Sequence, residues 1–403
     1  MCIRDRGLSG LNAASRNLDV IGHNIANANT TGMKASRANF SAMYANSIGI
    51  VGSNADTGGG LGTTVNSVTQ QFTQGNIENT GFALDVAING SGFYPMSMPD
   101  GTRAYTRSGS FNMDSTGNIV TAEGAKLLGY ATDAKGQRVT SALAPLNLAT
   151  SQVVNAKQST AITAEFTLDA KAEVAATAVP RTPVTTYGTT FKAYDAQGLE
   201  VPVGLYFSKT ANNQWDVYTS VNGAAPTATG TSVSFDANGT LTAGGSQTLA
   251  LSSPNGTFNV SLDLSKSKQV NAEFAVVDLQ QDGYTTGRMI NMTIGQDGVV
   301  TASYSNGQTL AAGQIALTNF RNVQGLGVTG NGYWLETQAS GQALDGVPGS
   351  GSFGVLQAGS LEQANVDLTA ELVDMMTAQR AYQANAQTIK TQDQILSTAV
   401  NLR

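Results

Sequence analysis

The end of the chain carries apolar residues at every seventh position. No Pro or Gly occurs between Leu361 and Leu402, so the spacing predicts one amphipathic helix over Leu361–Arg403. A helix of that length is about 60 Å long, roughly twice the width of a small domain, and it needs an extended partner to bury its apolar face. The apolar stripe consists of Leu361, Leu368, Met375, Tyr382, Ile389 and Leu396.

Positions four residues after the stripe alternate between apolar and polar. Leu372 is apolar, whereas Asn365, Gln379 and Asp393 are polar. A buried polar group without a partner costs about 1–3 kcal/mol, which argues against a dry two-stranded coiled coil. The pattern therefore predicts that this side of the helix is partly wet.

The beginning of the chain predicts a shorter amphipathic helix. The helix leads into the Asn-rich run Asn24–Asn29, and Gly32 follows as a stop signal. Both ends of the chain are therefore expected to be helices that need partners. The apolar residues on one face of the first helix are Leu8, Leu11, Leu18, Ile21 and Ile25.

Between the helices the pattern changes to short alternating segments, which are typical of β-strands. Residues 44–66 are rich in Gly, Ser, Asn and Thr and predict a linker, since they lack the Gly-Lys-Ser/Thr ending of a phosphate-binding loop. The predicted fold class is mixed but mainly β, with nested discontinuous domains: terminal α-helices in a coiled-coil-like inner domain and two outer all-β domains. The predicted domains are 1–66 with 361–403, 67–145 with 283–360, and an inserted domain at 146–282.

Four Asp-x-x-Gly segments punctuate the predicted strands. Asp suits the first position of a type I turn and Gly the fourth, so each segment predicts a hairpin turn. A calcium loop is the alternative, but it needs alternating oxygen ligands and a terminal acidic residue, which these segments lack. The segments begin at Asp114, Asp133, Asp195 and Asp236.

Composition and charge exclude several classes of function. The 403-residue chain has a net charge of −6 and no Lys/Arg-rich run, which argues against nucleic acid as a partner. No apolar run is long enough for membrane insertion, and the first 30 residues lack the apolar core of a secretory signal. One cysteine, Cys2, and one histidine, His23, leave little for metal or nucleophilic chemistry, and His23 is expected to be a surface residue. Residues 1–6 carry three charges where the apolar pattern should begin, and they are not expected to be the native N-terminus.

Both ends of the chain carry specific motifs. The stretch Gly7–Gly32 resembles the opening of bacterial flagellar rod and hook proteins, and Ala378–Asp393 resembles their shared ending. Leu84–Phe93, Tyr105–Phe111 and Gly124–Tyr130 are similar to the first β-domain of that family. Because distal rod proteins lack a large inserted domain, the length of the chain favours a hook-type subunit over the alternative, a distal rod-type axial protein.

The resemblance implies a structural subunit, not an enzyme, that uses no cofactor and no metal. Such subunits polymerise into the short curved tube between rod and filament, which acts as a universal joint for motor torque. The implied partners are further copies of the chain in a helical homo-polymer, the distal rod protein, the hook cap, the hook–filament junction proteins and the flagellar type III export apparatus. The implied location is the flagellar hook, outside the cell, after export without a signal peptide.

The family's terminal helices form the inner wall of the tube. We therefore expect the apolar residues of the first helix, the apolar stripe and Leu372 to be subunit-interface residues. Asn365, Gln379 and Asp393 are expected to face the water-filled channel, because an apolar lining would bind the exposed hydrophobic side chains of unfolded cargo.

Two other classes of function compete with this interpretation. A secreted glycan-binding β-protein could stack sugars on Trp215, Tyr218 and Trp334, although large aromatic residues are more often core anchors. A hydrolase could use Asp278 and Asp282 as paired carboxylates, but the surrounding sequence gives no sign of a pocket that would separate their pKa values.

Overall fold

A helix stands at each end of the chain and β-strands fill the middle. The computed structural model describes residues 2–44, 60–133, 135–148, 153–175 and 183–401. The helices are α1 (Cys2–Ala26) and α2 (Leu368–Asn401). The strands are β1 (Ser36–Tyr44), β2 (Gly60–Gln70), β3 (Ile77–Asn79), β4 (Val86–Asn89), β5 (Tyr94–Ser97), β6 (Arg103–Thr106), β7 (Asn112–Met113), β8 (Ile119–Val120), β9 (Lys126–Tyr130), β10 (Ala144–Pro145), β11 (Val153–Val154), β12 (Ala161–Asp169), β13 (Tyr187–Tyr194), β14 (Glu200–Ala211), β15 (Gln214–Val221), β16 (Thr227–Phe235), β17 (Leu241–Ala243), β18 (Ser246–Ser253), β19 (Gly256–Asp263), β20 (Lys268–Val270), β21 (Ala275–Gln281), β22 (Gly287–Ile294), β23 (Val299–Tyr304), β24 (Thr309–Ile315), β25 (Leu317–Asn319), β26 (Gly327–Gly330), β27 (Tyr333–Leu335), β28 (Leu344–Gly346), β29 (Val355–Ala358) and β30 (Ser360–Glu362).

The chain forms two compact units. The first unit comprises Met1–Thr150, Met292–Ala302 and Leu310–Arg403, and the second comprises Ser151–Asn291 and Ser303–Thr309. The predicted fold class is confirmed at the level of a mainly β protein with two helices. The coiled-coil-like inner domain and the three-part division of the chain stay predictions.

The second unit contains two five-stranded sheets that share one core. One sheet has the order β18-β19-β12-β20 with β21 also paired to β12, and the other runs β13-β14-β15-β16-β17. Along β12 every second residue is buried, which is the pattern of a strand with one face on a core. Residues from both sheets, including Phe166, Leu205 and Trp215, form a single apolar cluster.

The β-part of the first unit is an antiparallel sheet with short hairpins around it. Its central strands run in the order β24-β9-β5-β6-β27-β26, while β3 pairs with β30 and β4 pairs with β29. Tyr94, Met96 and Leu127 lie in its core and are almost completely inaccessible to solvent. The pairs β3–β30 and β4–β29 bring the segment before α2 back to the start of the sheet.

The C-terminal helix begins seven residues later than the heptad pattern predicts. Leu361 lies in β30, and α2 starts at Leu368, where the Asp367 carboxylate accepts hydrogen bonds from the Thr369 and Ala370 N–H groups. An acidic N-cap of this kind fixes the first turn of a helix. The helical assignment of residues 361–367 is therefore wrong, because strand pairing and the cap take precedence over the sevenfold repeat.

The predicted linker is also partly wrong. Residues 60–66 belong to β2, which pairs with β1 in an antiparallel hairpin that has two register irregularities. The Gly-rich composition indicates flexibility only when no partner strand is available, and here β1 supplies one. Residues 45–59, the remainder of the predicted linker after Tyr44, lie outside the described residues.

The four Asp-x-x-Gly segments are turns, as predicted. In each, the Gly N–H donates to the Asp carbonyl, as Gly117 does to Asp114 at 3.0 Å. The Asp114 carboxylate also accepts hydrogen bonds from Asn118 and Thr116. The Asn118 side chain is the largest cause that holds the pKa of Asp114 at about 2. The Asp114 carboxylate thus stabilises its own turn, whereas Asp195 also accepts hydrogen bonds from the side chains of Ser253 and Asn255.

One buried carboxylate ties the terminal segments to the sheet of the first unit. Glu362 in β30 accepts a hydrogen bond from Lys34 Nζ and another from Arg107 Nε, each at 2.7 Å. Lys34 also donates to the Thr73 carbonyl, and the Gly75 N–H donates to Glu362. We call Lys34, Arg107 and Glu362 the charged cluster; each side chain is at most 6% exposed.

Electrostatics within the charged cluster set the ionisation of Glu362. Burial by itself raises the pKa of Glu362, but the Arg107 charge and the charge and hydrogen bond of Lys34 outweigh burial and hold that pKa below 4.5. Burial lowers the pKa of Lys34 below 10.5, although Glu362 acts in the opposite direction. Glu362 is therefore ionised at neutral pH.

Replacing Glu362 with Gln should strongly destabilise the first unit, because it leaves two buried cations without their carboxylate. We expect a loss of about 3–5 kcal/mol in the free energy of unfolding at neutral pH. The measurement is urea unfolding followed by the emission of Trp334 in a Trp215→Phe background. Glu78→Gln, which alters an exposed carboxylate on β3, is the matched control.

The difference in the free energy of unfolding between wild type and Glu362→Gln should also depend on pH. Since the folded pKa of Glu362 is depressed, its stabilisation is fully present above the unfolded value of about 4.5 and is lost as the pH falls through the folded value. The stabilities of wild type and Glu362→Gln should therefore converge in acid. A difference that stays constant down to pH 3 would contradict the charged interaction.

Candidate assembly surface on the paired terminal helices

The two terminal helices pack closely along a seam of small and polar residues. Gly7 and Gly10 of α1 lie against α2, and a Cβ atom at Gly10 would come within 2.8 Å of the Asn385 side chain. A Cβ atom at Gly7 would come within 3.2 Å of Ile389 Cγ1. The close approach of the helices therefore depends on the absence of side chains at these two glycines.

Part of the predicted apolar stripe lies in this seam. Met375 and Ile389 are half-buried, and the residues three positions after stripe members complete the seam. Of these, Ala378 is the most buried, at 5% exposed. The partly buried face of α2 therefore combines stripe residues mainly with positions three residues later, although Ala386, four positions after Tyr382, is also half-buried. The positions three residues later are Ala378, Asn385 and Gln392.

The predicted contact residues of α1 differ in their burial. Ile21 is buried, and Leu11, Leu18 and Ile25 are half-buried within the chain. Leu8 is 52% exposed. Burial within one chain does not test their assignment as subunit-interface residues, which stays a prediction.

Several apolar side chains of α2 remain exposed after the helices have paired. Met376 and Leu372 lie four residues apart on one face, and each is 51% exposed. Ile395 and Leu396 form a second exposed pair near the end of the helix. Together with Leu8, the exposed apolar residues of α2 define what we call the outer apolar surface. On α2 they are Leu368, Leu372, Val373, Met376, Tyr382, Ile395 and Leu396.

The three predicted channel residues occupy different environments. Gln379 and Asp393 are exposed on α2, outside the seam. Asn365 precedes the helix; its side chain accepts a hydrogen bond from the Ala35 N–H at 2.7 Å and donates to the Gln71 carbonyl at 2.7 Å. Asn365 therefore fastens the start of the C-terminal segment to the strands that follow α1.

A second polar contact joins the helices at the same end. Asn24 of α1 is buried, and its amide donates to Glu371 of α2 at 2.9 Å and to the Ser36 carbonyl at 2.8 Å. The Ser36 N–H donates back to Asn24. The Asn-rich end of α1 thus fixes both α2 and the hairpin β1–β2.

The structure removes both tryptophans from the glycan interpretation, whereas the third aromatic residue, Tyr218, is only partly buried on β15. Trp215 is completely buried and donates its indole N–H to Gln269, and Trp334 is buried among aromatic rings and donates to Gln70. Neither ring presents a face for stacking on a sugar. Both tryptophans are core anchors.

The two carboxylates considered for a hydrolase, Asp278 and Asp282, also make structural contacts. Asp282 accepts hydrogen bonds from the Thr160 and Ala161 N–H groups and pairs with Lys157. Burial raises the pKa of Asp282, but these hydrogen bonds outweigh burial and lower it strongly. Asp278 contacts Gln280. Asp282 is thus held as an ionised acceptor and is poorly suited to act as a general acid.

We also searched the described residues for a metal site and for a membrane-spanning helix. Among those residues, no group of three or more His, Cys, Asp or Glu side chains could hold a metal ion. Neither described helix is both long and apolar enough to cross a membrane. His23 is exposed on α1, in contact with Asn27.

Two features of this region could not be found by reading hydrophobic periodicity alone. The glycines of the seam carry a weak signal, since Gly7 and Gly10 stand three residues apart in a helix that Gly would otherwise weaken. The charged cluster joins residues as much as 328 positions apart, and nothing local marks Glu362 as the partner of Lys34.

Four family models match the chain and together cover most of it. "Flagella basal body rod protein" matches residues 6–34, and "Flagellar hook protein FlgE/F/G D1 domain" matches residues 87–173. "Flagellar basal body protein FlaE D2 domain" matches residues 167–284, and "Flagellar basal body rod FlgEFG protein C-terminal" matches residues 357–402. The terminal matches fall on the two helices.

Curated relatives match the chain from end to end. The flagellar hook proteins FlgE of Salmonella typhimurium and Escherichia coli are each 40% identical to it, over 99% of both chains. FlgE of Treponema pallidum is 31% identical over 98% of both chains. The crystal structure of Helicobacter pylori FlgE2 shares the fold, with a TM-score of 0.55 at 16% identity over 71% of this chain and all of that one. The chain belongs to the flagellar hook protein FlgE family.

Proposed function

We propose that the chain is the structural subunit of a bacterial flagellar hook, which self-assembles into a curved, flexible tube that transmits torque from rod to filament. The observation that carries this function is the outer apolar surface, which stays exposed along α2 after the helices have paired. Its relatives are named flagellar hook proteins, and it matches their whole length. The further partners, namely the distal rod protein, the hook cap, the junction proteins and the type III export apparatus, belong to the same proposal.

The geometry of the terminal helices supports the proposal that the chain assembles through them. The 34 residues of α2 extend about 50 Å, whereas α1 has only 25 residues to cover them. The seam occupies one side of α2, and apolar side chains on the other sides stay in water. Burying such a side chain contributes about 1.5–3 kcal/mol, so contacts with neighbouring copies are strongly favoured.

Met376→Glu should weaken polymerisation without unfolding the subunit. A charge in the centre of the outer apolar surface loses the transfer free energy of Met376 and adds a desolvation cost, so we expect the critical concentration to rise at least about tenfold. Pelleting of polymer over a range of protein concentrations measures it. Gln383→Glu, which adds the same charge at an exposed polar position of α2, should leave it nearly unchanged.

Circular dichroism of the monomer separates the two explanations of a weaker polymer. Met376→Glu should keep the wild-type helix content. If polymerisation were equally strong in Met376→Glu and Gln383→Glu, the outer apolar surface would not be the assembly surface.

The second unit should be dispensable for tube formation but should influence the shape of the tube. The chain enters and leaves most of this unit at adjacent positions, because Lys157 and Tyr284 exchange two backbone hydrogen bonds at 2.9 and 3.0 Å. A variant that replaces residues 158–283 with a two-residue Asn-Gly turn should therefore keep the rest of the fold.

We expect that variant to form tubes of altered curvature under the electron microscope. The same variant carrying Met376→Glu is the control, and it should not polymerise at the same protein concentration. Failure of the shortened chain to assemble at any concentration, while its helix content is normal, would place the main contacts in the second unit.

We also propose that Gln379 and Asp393 face the channel of the assembled tube. Both are exposed and outside the seam, which leaves them free for a wet surface. Replacing both with Leu should leave tube formation intact and reduce the passage of filament subunits, counted as filaments per hook in cells. Replacing both with Asn is the polar control, and unchanged filament growth in the Leu variant would rule out this orientation.

A further inference from the structure

A half-open pocket lies beside the charged cluster in the first unit. It has a volume of about 310 Å³, enough for several water molecules or one small anion. Phe72 and Phe93 contribute aromatic rings to its wall, and Lys34 and Arg107 contribute cationic groups. The pocket is thus lined by aromatic and cationic residues together with polar ones such as Gln74 and Asn319.

Lys34 and Arg107, the cations that line this pocket, have more N–H groups than protein acceptors. The three N–H groups of Lys34 meet two acceptors, Thr73 O and Glu362 Oε1, among the described residues. The five N–H groups of Arg107 meet three, which are Glu362 and the carbonyls of Gly90 and Gly92. Both side chains are more than nine-tenths buried. An acceptor placed in the pocket would satisfy the remaining N–H groups of these two cations.

The charge of the cluster is also unbalanced. Lys34 and Arg107 carry two positive charges, and Glu362 carries the single negative charge that pairs with them in the described structure. Uncompensated charge is costly away from water, and one additional anion would neutralise the cluster. A carboxylate fits this requirement, since it is a monoanion that accepts several hydrogen bonds in one plane.

We propose that this pocket is a carboxylate-binding site in which Lys34 and Arg107 hold a carboxylate group beside Phe72 and Phe93. The carboxylate comes either from an acidic side chain of a neighbouring copy or from a small free carboxylate in solution. Binding to the monomer does not depend on the proposed function, whereas the neighbouring-copy source rests on it.

Trp334 is a built-in reporter for the pocket. Its ring lies 5.8 Å from that of Phe72 and 5.4 Å from that of Phe93, measured between centroids. Trp215 is the only other tryptophan of the chain, so Trp215→Phe isolates the signal. Sodium acetate titrated into the monomer, against sodium chloride at equal ionic strength, should change Trp334 emission in a saturable way. A response equal to that of chloride would mean that water alone fills the pocket, which overturns the proposal.

Two variants test the chemistry of the site. Lys34→Met removes the excess charge but keeps the pair of Arg107 with Glu362. After urea unfolding has established that this variant is folded at the protein concentration used, its apparent affinity for acetate should be at least about tenfold lower than that of wild type. Ser91→Asp places a carboxylate on the pocket wall and should abolish the acetate response, whereas Ser91→Asn should preserve it. Wild-type acetate affinity in both Lys34→Met and Ser91→Asp would overturn the assignment.

Polymerisation then identifies the source of the carboxylate. If a neighbouring copy supplies it, saturating acetate should slow assembly of the wild-type chain relative to chloride, and Ser91→Asp should assemble slowly without acetate. Saturable acetate binding with unchanged assembly in both cases would assign the pocket to a free carboxylate.

Discussion

The fold of the first unit depends on a single buried carboxylate that two cations share. Glu362 lies shortly before α2, Lys34 follows α1, and Arg107 follows β6 directly, so the Glu362 side chain fixes both terminal segments to the β-structure. A buried ion of this kind is stable only while its partners are present. Because Asn24 and Asn365 reinforce the same junction, the helix pair leaves the sheet in a defined direction.

The two terminal helices have two kinds of surface: a seam of small residues that packs within the chain, and larger apolar residues that stay exposed. Gly7, Gly10 and Ala378 allow close packing within one chain and bury little apolar surface. Other large apolar residues of α2, such as Leu372, Met376 and Ile395, stay about half exposed and add little to the stability of the monomer. This division favours association with a partner, since much of the apolar surface of the helices stays exposed in the single chain.

The sequence predicts the features that depend on neighbouring residues and misses those that depend on distant ones. The Asp-x-x-Gly turns are local, and all four form. The existence of α2 follows from its heptads, but its start does not, because Leu361 satisfies both the heptad and the pairing of β30 with β3. Residues 60–66 have the composition of a linker and become a strand because β1 lies beside them.

We propose that the terminal helices build the polymer. The decisive experiment is electron microscopy after induced polymerisation, with the full chain beside a version that lacks residues 1–32 and 368–403 and keeps the charged cluster. Hollow tubes should form from the full chain and none from the truncated one, whose Trp334 emission should remain that of a folded unit. Tubes from both chains would contradict it.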